Sequence, residues 1–315
     1  MDSNISEKIV QRWNREDRIG KTAIAPAPRL LMLEVTNACN LKCRMCQNPN
    51  MTRARGYMDV ELGKRTIREA AQIGIKEIAL FSTGEPLLYA RLDELIIEAK
   101  RQKLYCYLSS NGLLLEEKSA EMICRYGLDS FKFSIDASDK EEYEDTRING
   151  DFDKLISNIR LLKHTRDRLQ SPLKIICAYA IKDFDKKRIE SFKNLFKPIC
   201  DSILISEWSN LGGKVDASNT GAEVLNGRNR PSCRLLWDRI VVSYDGRITA
   251  CCVDFDLELC YSDLNFVSLE NAWNNETIQA WREKHLIGEG HLMPMCGKCS
   301  SPFIMKTDRL RGINL

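Results

Sequence analysis

Cys39-Asn-Leu-Lys-Cys43-Arg-Met-Cys46 gathers three thiols in one short run. Thiolates are soft ligands that suit iron–sulfur clusters, copper(I) or zinc. The count of three matters. A structural zinc site wants four ligands, and the chain's histidines, His164, His285 and His291, all stand far away in sequence. Three thiolates on a cubane cluster leave one iron open to a small molecule, which is a reactive arrangement. A share in a zinc site is the other reading of the same triplet.

A second group crowds the last third of the chain: Cys233, Cys251, Cys252, Cys260, Cys296 and Cys299. Four of these thiols would be an acceptable set for zinc as well as for a closed cluster. Cys251 and Cys252 compete for one place, because neighbouring side chains on a strand point to opposite faces. Cys260 is left out as a spare. Cys106, Cys124, Cys177 and Cys200 lie singly in apolar or helical contexts and read as small buried hydrophobes. Thirteen cysteines, an odd number, without a secretory signal argue against a disulfide scaffold.

The elements that must position these residues alternate. Strands are expected at 30–35, 77–81, 104–109, 130–135, 173–181 and 202–205. Helices are expected at 61–72, 92–101, 116–126, 152–164 and 187–196. The strands are rich in Ile, Leu, Val and Phe, as buried parallel strands are, so the fold class is α/β with a parallel sheet, flat or curled into a partial barrel. A polar helix over 5–16 precedes an Ala-Pro-Ala-Pro breaker. Residues 209–231 are rich in Gly, Asn and Ser. Beyond them Tyr244-Asp245-Gly246 separates two apolar runs, a strong hairpin signal, and short helices are expected at 269–273 and 277–284. The division is an N-terminal tail over 1–28, a barrel over 29–208, a linker over 209–232 and a small unit over 233–315. So small a unit often needs a metal to hold it together.

Cys-x3-Cys-x2-Cys in the loop after the first strand resembles the signature of radical S-adenosylmethionine (SAM) enzymes, whose fold is a partial (β/α)6 barrel. Further motifs stand at successive strand ends, where α/β folds place their chemistry. Ser82-Thr83-Gly84-Glu85-Pro86 is similar to the family's Gly-Gly-Glu-Pro, with Thr83 in place of the first Gly. Ser109-Ser110-Asn111-Gly112 is similar to its Thr-Asn-Gly, and Ser134-Ile135-Asp136 to its Ser-x-Asp. The resemblance implies a 4Fe–4S cluster on Cys39, Cys43 and Cys46. It implies SAM contacts from Thr83, Gly84 and Glu85, which meet the methionine amino group, and from Ser110, Asn111, Ser134 and Asp136. Arg147 stands where the family often has an arginine near the cofactor carboxylate, and Met45 where an apolar residue lies near the adenine.

Cys233, Gly246-x4-Cys251 and Cys296-x2-Cys299 resemble the C-terminal extensions called SPASM and twitch domains, which bind auxiliary 4Fe–4S clusters. The shorter twitch form, with one cluster on Cys233, Cys251, Cys296 and Cys299, fits better, because no cysteine follows Cys299. The Gly-x4-Cys spacing selects Cys251 over Cys252.

The activity implied is generation of a 5′-deoxyadenosyl radical that takes hydrogen from a substrate C–H bond. The reducing partner would be of the flavodoxin or ferredoxin kind. The first expectation for the substrate is a sugar or aminocyclitol alcohol, oxidised with the auxiliary cluster as electron relay. The second is crosslinking or epimerisation of a ribosomal peptide. A reading of another class is a non-catalytic iron–sulfur or zinc protein. Glu207, just past the sixth expected strand, is the candidate base.

The remaining composition is neutral to these readings. Among 315 residues, 47 Lys and Arg against 44 Asp and Glu leave a formal charge of +3, which gives no reason to expect nucleic acid. No apolar run approaches a membrane span, so a cytoplasmic location is expected.

Overall fold

A computed structural model describes residues 22–182, 184–215 and 232–300. The expected helix over 5–16 and most of the linker, 216–231, lie outside the described residues. Six parallel strands follow in sequence order: β1 (Leu30–Leu33), β3 (Glu77–Ala79), β4 (Tyr105–Ser110), β5 (Ser130–Ser134), β7 (Lys174–Ile181) and β8 (Ser202–Glu207). Between them run α1 (Val60–Gln72), α2 (Leu92–Arg101), α3 (Glu117–Arg125), α4 (Lys140–Thr146), α5 (Phe152–Arg168) and α6 (Lys186–Phe196). Two short strands, β2 (Lys42–Cys43) and β6 (Arg147–Ile148), pair antiparallel outside this sheet. Aspartates begin several helices: Asp59 accepts from the N–H groups of Glu61 and Leu62, Asp151 from that of Lys154, and Asp185 from that of Lys187.

Sequential strand order with crossovers of one hand puts the helices on one face of the sheet. That face holds the large core, where Leu31, Leu33, Ile78, Leu108, Phe131, Phe133 and Cys177 meet the helices. The other face is different. Leu30, Met32, Ala79 and Val241 form a small separate cluster there, joined by Phe81, Tyr107 and Cys252. This is the inner face of the partial barrel.

The C-terminal unit continues the same sheet. β9 (Arg239–Val242) pairs parallel with β1, Leu30 opposite Arg239 through Leu33 opposite Val242. β10 (Arg247–Thr249) returns antiparallel to β9, as the Asp-Gly hairpin predicts, and β11 (Cys260–Asp263) pairs antiparallel with β10. α7 (Leu235–Asp238), α8 (Leu269–Trp273) and α9 (Glu276–Leu286) complete the unit. No helix among the described residues is long and apolar enough to cross a membrane.

Three features were not anticipated. α4 was missed because its charged sequence, Lys-Glu-Glu-Tyr-Glu-Asp-Thr, lacks an apolar stripe. The β2–β6 pair was too short to signal itself. Cys177 and Cys200 are not solitary, since their thiols perturb each other in opposite directions.

Candidate functional site

The loop after β1 carries Cys39, Cys43 and Cys46, all half-buried. Burial pushes the Cys39 thiol up to about 12 and the Cys46 thiol up to about 11, and each feels the charge of its neighbours. Cys43 is raised by burial too, but the Arg147 guanidinium pulls it back. The β2–β6 pairing sets this contact, because it puts Cys43 opposite Arg147. Arg147 Nη1 lies 3.6 Å from Cys43 Sγ. Nε donates to the Ile135 carbonyl at 3.0 Å, and Nη2 pairs with Asp136. Burial opposes the guanidinium charge, yet Asp136 and Cys43 outweigh it and the Arg147 pKa rises.

The ends of β3 and β4 are fastened to this loop. The Glu85 N–H donates to the Ala38 carbonyl at 2.8 Å. A Cβ on Gly84 would fall 2.3 Å from the Thr36 oxygen and 2.6 Å from the Ala38 oxygen, so the close backbone approach requires glycine there. The Glu85 carboxylate, fully buried, accepts from Ser110 Oγ at 2.7 Å, the Asn111 N–H at 2.8 Å and the Leu87 N–H at 3.1 Å. Burial raises its pKa despite these donors. The sequence reading aimed this carboxylate at an ammonium; the structure gives its oxygens three donors inside the chain. Asn111 Nδ2 reaches Asn40 in the cysteine loop at 2.9 Å. Asp136 has φ +58° and accepts from the Ala180 N–H at 2.7 Å as well as from Arg147. Ser134 Oγ shares a 3.0 Å hydrogen bond with Ser109 Oγ on the inner face. Met45 is half-buried in the cysteine loop.

Thr83, which replaces a glycine of the motif, hydrogen-bonds through Oγ1 to the buried Glu34. Glu34 also accepts from Arg53 Nη2 and from the Tyr244 N–H at 3.1 Å. Arg53 Nε donates to the Phe255 carbonyl, and Asp256 accepts from the Thr52 N–H at 2.7 Å. The segment after the cysteines is thus tied to the C-terminal unit.

In that unit β10 ends at Thr249, so strand alternation does not separate Cys251 from Cys252. Their thiols perturb each other in opposite directions, and Cys251 also feels Cys233. The Cys252 thiol is lowered to about 6, first by Cys251 and then, against burial, by Arg239. Cys233 is pushed up to about 12 by burial and feels Cys299 and Cys252. Its N–H donates to His285 Nδ1 at 3.3 Å. Cys296 and Cys299 flank a single turn in which the Cys299 N–H donates to the Cys296 carbonyl at 3.1 Å. Cys260 Sγ instead faces the Ser262 carbonyl. Both sites fit iron–sulfur chemistry: Cys39, Cys46 and Cys233, raised by burial and by neighbouring thiols, gain from a cationic iron centre. No three His, Cys, Asp or Glu side chains among the described residues are gathered as one metal ion needs; a cubane is larger and spreads its thiolates more widely.

Residues 33–171 match the model of the radical SAM superfamily, and residues 233–300 match the SPASM model, an iron–sulfur cluster-binding domain. The chain belongs to the radical SAM superfamily. It carries a C-terminal iron–sulfur domain, and its cofactors are SAM and two iron–sulfur clusters, one in each domain. The chain is 28% identical over 215 residues to an AdoMet-dependent heme synthase of Oleidesulfovibrio alaskensis, a match covering 64% of this chain and 53% of that protein. The radical SAM chain thus aligns with about half the length of that relative. Two solved structures share its fold. BtrN in complex with AdoMet and 2-DOIA is 18% identical with TM-score 0.60, covering 88% of this chain and 94% of the other. Streptococcus suis SuiB bound to precursor peptide SuiA is 14% identical with TM-score 0.66, covering 95% and 74%.

Glu207 is the last residue of β8, opposite Ile181. Strand alternation puts it on the face of Ile203 and Ile205, which pack into the helix-side core. β8 itself therefore turns Glu207 away from the inner face. Lys132 in the middle of β5 was missed, since a lysine inside a short apolar strand carries no motif. Outside the barrel edge a cleft of about 760 Å³ opens beside Asp136, Glu142, Tyr179, Lys182 and Trp208.

Proposed function

We propose that the chain is a radical SAM enzyme that acts on a C–H bond of a substrate held against the inner face of the barrel. Cys39, Cys43 and Cys46 would hold the first 4Fe–4S cluster. Thr83, Gly84, Glu85, Ser110, Asn111, Ser134, Asp136, Arg147 and Met45 would shape the SAM site. Cys233, Cys251, Cys296 and Cys299 would hold the second cluster. Bound together, the first cluster and SAM supply hydrogen-atom abstraction from an unactivated carbon.

The observation that carries this reading is the fastening of three strand ends to one cysteine loop. Gly84 closes on the loop backbone, Glu85 locks the ends of β3 and β4 together, and Arg147 joins the end of β5 to Cys43. Such a platform holds a ligand without rearranging, which is how a site keeps reactive geometry. Met32, Phe81 and Tyr107 keep the inner face apolar and limit water there.

For the substrate, a sugar or aminocyclitol alcohol is the first reading, with the second cluster as electron acceptor. A ribosomal peptide is the second, favoured by the open cleft beside β7 and β8, which has room for an extended segment. A flavodoxin- or ferredoxin-like donor suits either. Anaerobically reconstituted protein, given SAM and a chemical reductant, should release 5′-deoxyadenosine, read by mass spectrometry. Addition of panels of aminocyclitols and of precursor peptides should raise that release for one class only. No 5′-deoxyadenosine from protein with its full iron content would overturn the enzymatic reading.

A further inference from the structure

The inner face carries one charge that the cofactor platform does not use. On β5, Phe131 and Phe133 turn into the helix-side core, so Ser130, Lys132 and Ser134 turn the other way. The neighbouring hydroxyls are occupied with each other: Tyr105 donates to Ser130 Oγ at 3.0 Å, and Ser109 pairs with Ser134 at 3.0 Å. Lys132 stands between these pairs with Nζ over the Phe81 ring, 5.6 Å from its centroid. Among the described residues its ammonium makes no hydrogen bond and no ion pair.

The charges that reach Lys132 define its place. Asp136 and Arg147 act on it from the SAM platform, and Arg239 and Cys252 from the C-terminal unit. Lys132 therefore lies between the two cysteine sites. Asp136 does not neutralise it, because its oxygens are taken by Arg147 and by the Ala180 N–H. Arg239 stands nearby, with its charge shared between Asp238 at 3.7 Å and Cys252, whose Sγ lies 3.6 Å from Nη1; Nη1 also lies 3.5 Å from Met32 Sδ.

We infer that Lys132 anchors an anionic group of the substrate, a carboxylate or a phosphate, on the inner face of the barrel. A half-buried ammonium that lies against an aromatic ring without a salt-bridge partner is costly to keep, and burial already pulls its pKa down. An arriving anion relieves that cost. The apolar surroundings of Met32, Phe81 and Tyr107 strengthen the resulting charge contact beyond its value in water. Phe81 holds the ammonium in position through its ring face. The inference rests on the reading of the inner face as the substrate chamber. It narrows both substrate classes to members bearing a carboxylate or phosphate near the reacting carbon.

The test is equilibrium dialysis of the reconstituted full chain, saturated with SAM and without reductant. One arm uses radiolabelled orthophosphate and the other radiolabelled acetate. The wild type should bind at least one of them, and the favoured arm names the group. Lys132→Met should weaken that binding about tenfold or more, as loss of a charge-assisted hydrogen bond does, while Lys132→Arg should largely retain it. Iron content and circular dichroism check each variant, and Lys132→Gln replaces Lys132→Met if the latter does not fold. Equal binding by wild type and the neutral variant, or binding of neither anion, overturns the anchor. Release of 5′-deoxyadenosine by the wild type tests the enzymatic reading separately, so failure of one is not mistaken for failure of the other.

Discussion

Arg53 Nη2 donates to both carboxylate oxygens of Glu34, at 2.8 and 3.1 Å, in a pair almost fully withdrawn from solvent. Glu34 follows β1 and accepts from Thr83 beyond β3 and from Tyr244 in the C-terminal hairpin. Arg53 continues to Phe255. One buried ion pair thus links the cysteine loop, the second strand end and the C-terminal unit.

Removing one partner of such a pair should be far worse than removing both. Arg53→Met leaves the Glu34 charge buried without its cation, a change that commonly costs about 3–5 kcal/mol. The urea midpoint of the anaerobic protein should fall accordingly. Glu34→Gln combined with Arg53→Met should fall by clearly less than the sum of the single changes. Additive losses would show that the two side chains do not act as a unit.

Arg147 offers a test of the SAM platform. Its guanidinium joins Asp136, the Ile135 carbonyl and the Cys43 sulfur. Arg147→Ala should leave Asp136 at φ +58° without its cation and loosen the end of β5. SAM affinity, measured by equilibrium dialysis without reductant, should drop roughly tenfold or more. Iron content should stay near the wild-type level, because the three thiols remain. Unchanged SAM affinity would remove Arg147 and Asp136 from the site.

What was legible in the sequence followed from repetition and from chemistry-bearing spacing. The strand–helix alternation and the cysteine runs gave the six parallel strands, the hairpin and both thiol groups, since each rests on several residues in a pattern. Less legible were features made by tertiary contact alone. Glu85 reads as a ligand-facing carboxylate until its three internal donors are seen. The pairing of β9 with β1 joins residues some two hundred positions apart, and no local signal marks it. Lys132 carries no signal of its own in the strand Ser130–Ser134, and only the inner face gives it a meaning. Alternation failed at Cys251 and Cys252 because the strand ends before them.

That last point makes the choice between Cys251 and Cys252 an experimental question with a definite expected answer. Both thiols are close to each other, and both are within reach of Cys233, but their surroundings differ. Cys251 packs against the large helix-side core, beside the rest of the C-terminal unit. Cys252 packs with Leu30, Met32, Ala79 and Val241 on the inner face of the barrel, and Arg239 Nη1 lies 3.6 Å from its sulfur. Cys251 should therefore be the cluster ligand, and Cys252 a thiol that borders the chamber. Two four-iron clusters give about eight irons per chain. Cys251→Ala should lower this towards about four, with Cys39, Cys43 and Cys46 still loaded, whereas Cys252→Ala should retain about eight. The measurement is iron per chain after anaerobic reconstitution and desalting. The Cys252→Ala protein discriminates more sharply, because its loss of iron would show that the thiol beside Arg239 is the ligand and that Gly-x4-Cys spacing points to the wrong neighbour. Retention of all iron by both single variants would mean that either thiol can serve, the free one moving in when the other is removed. The double Cys251→Ala/Cys252→Ala protein should then lose the second cluster.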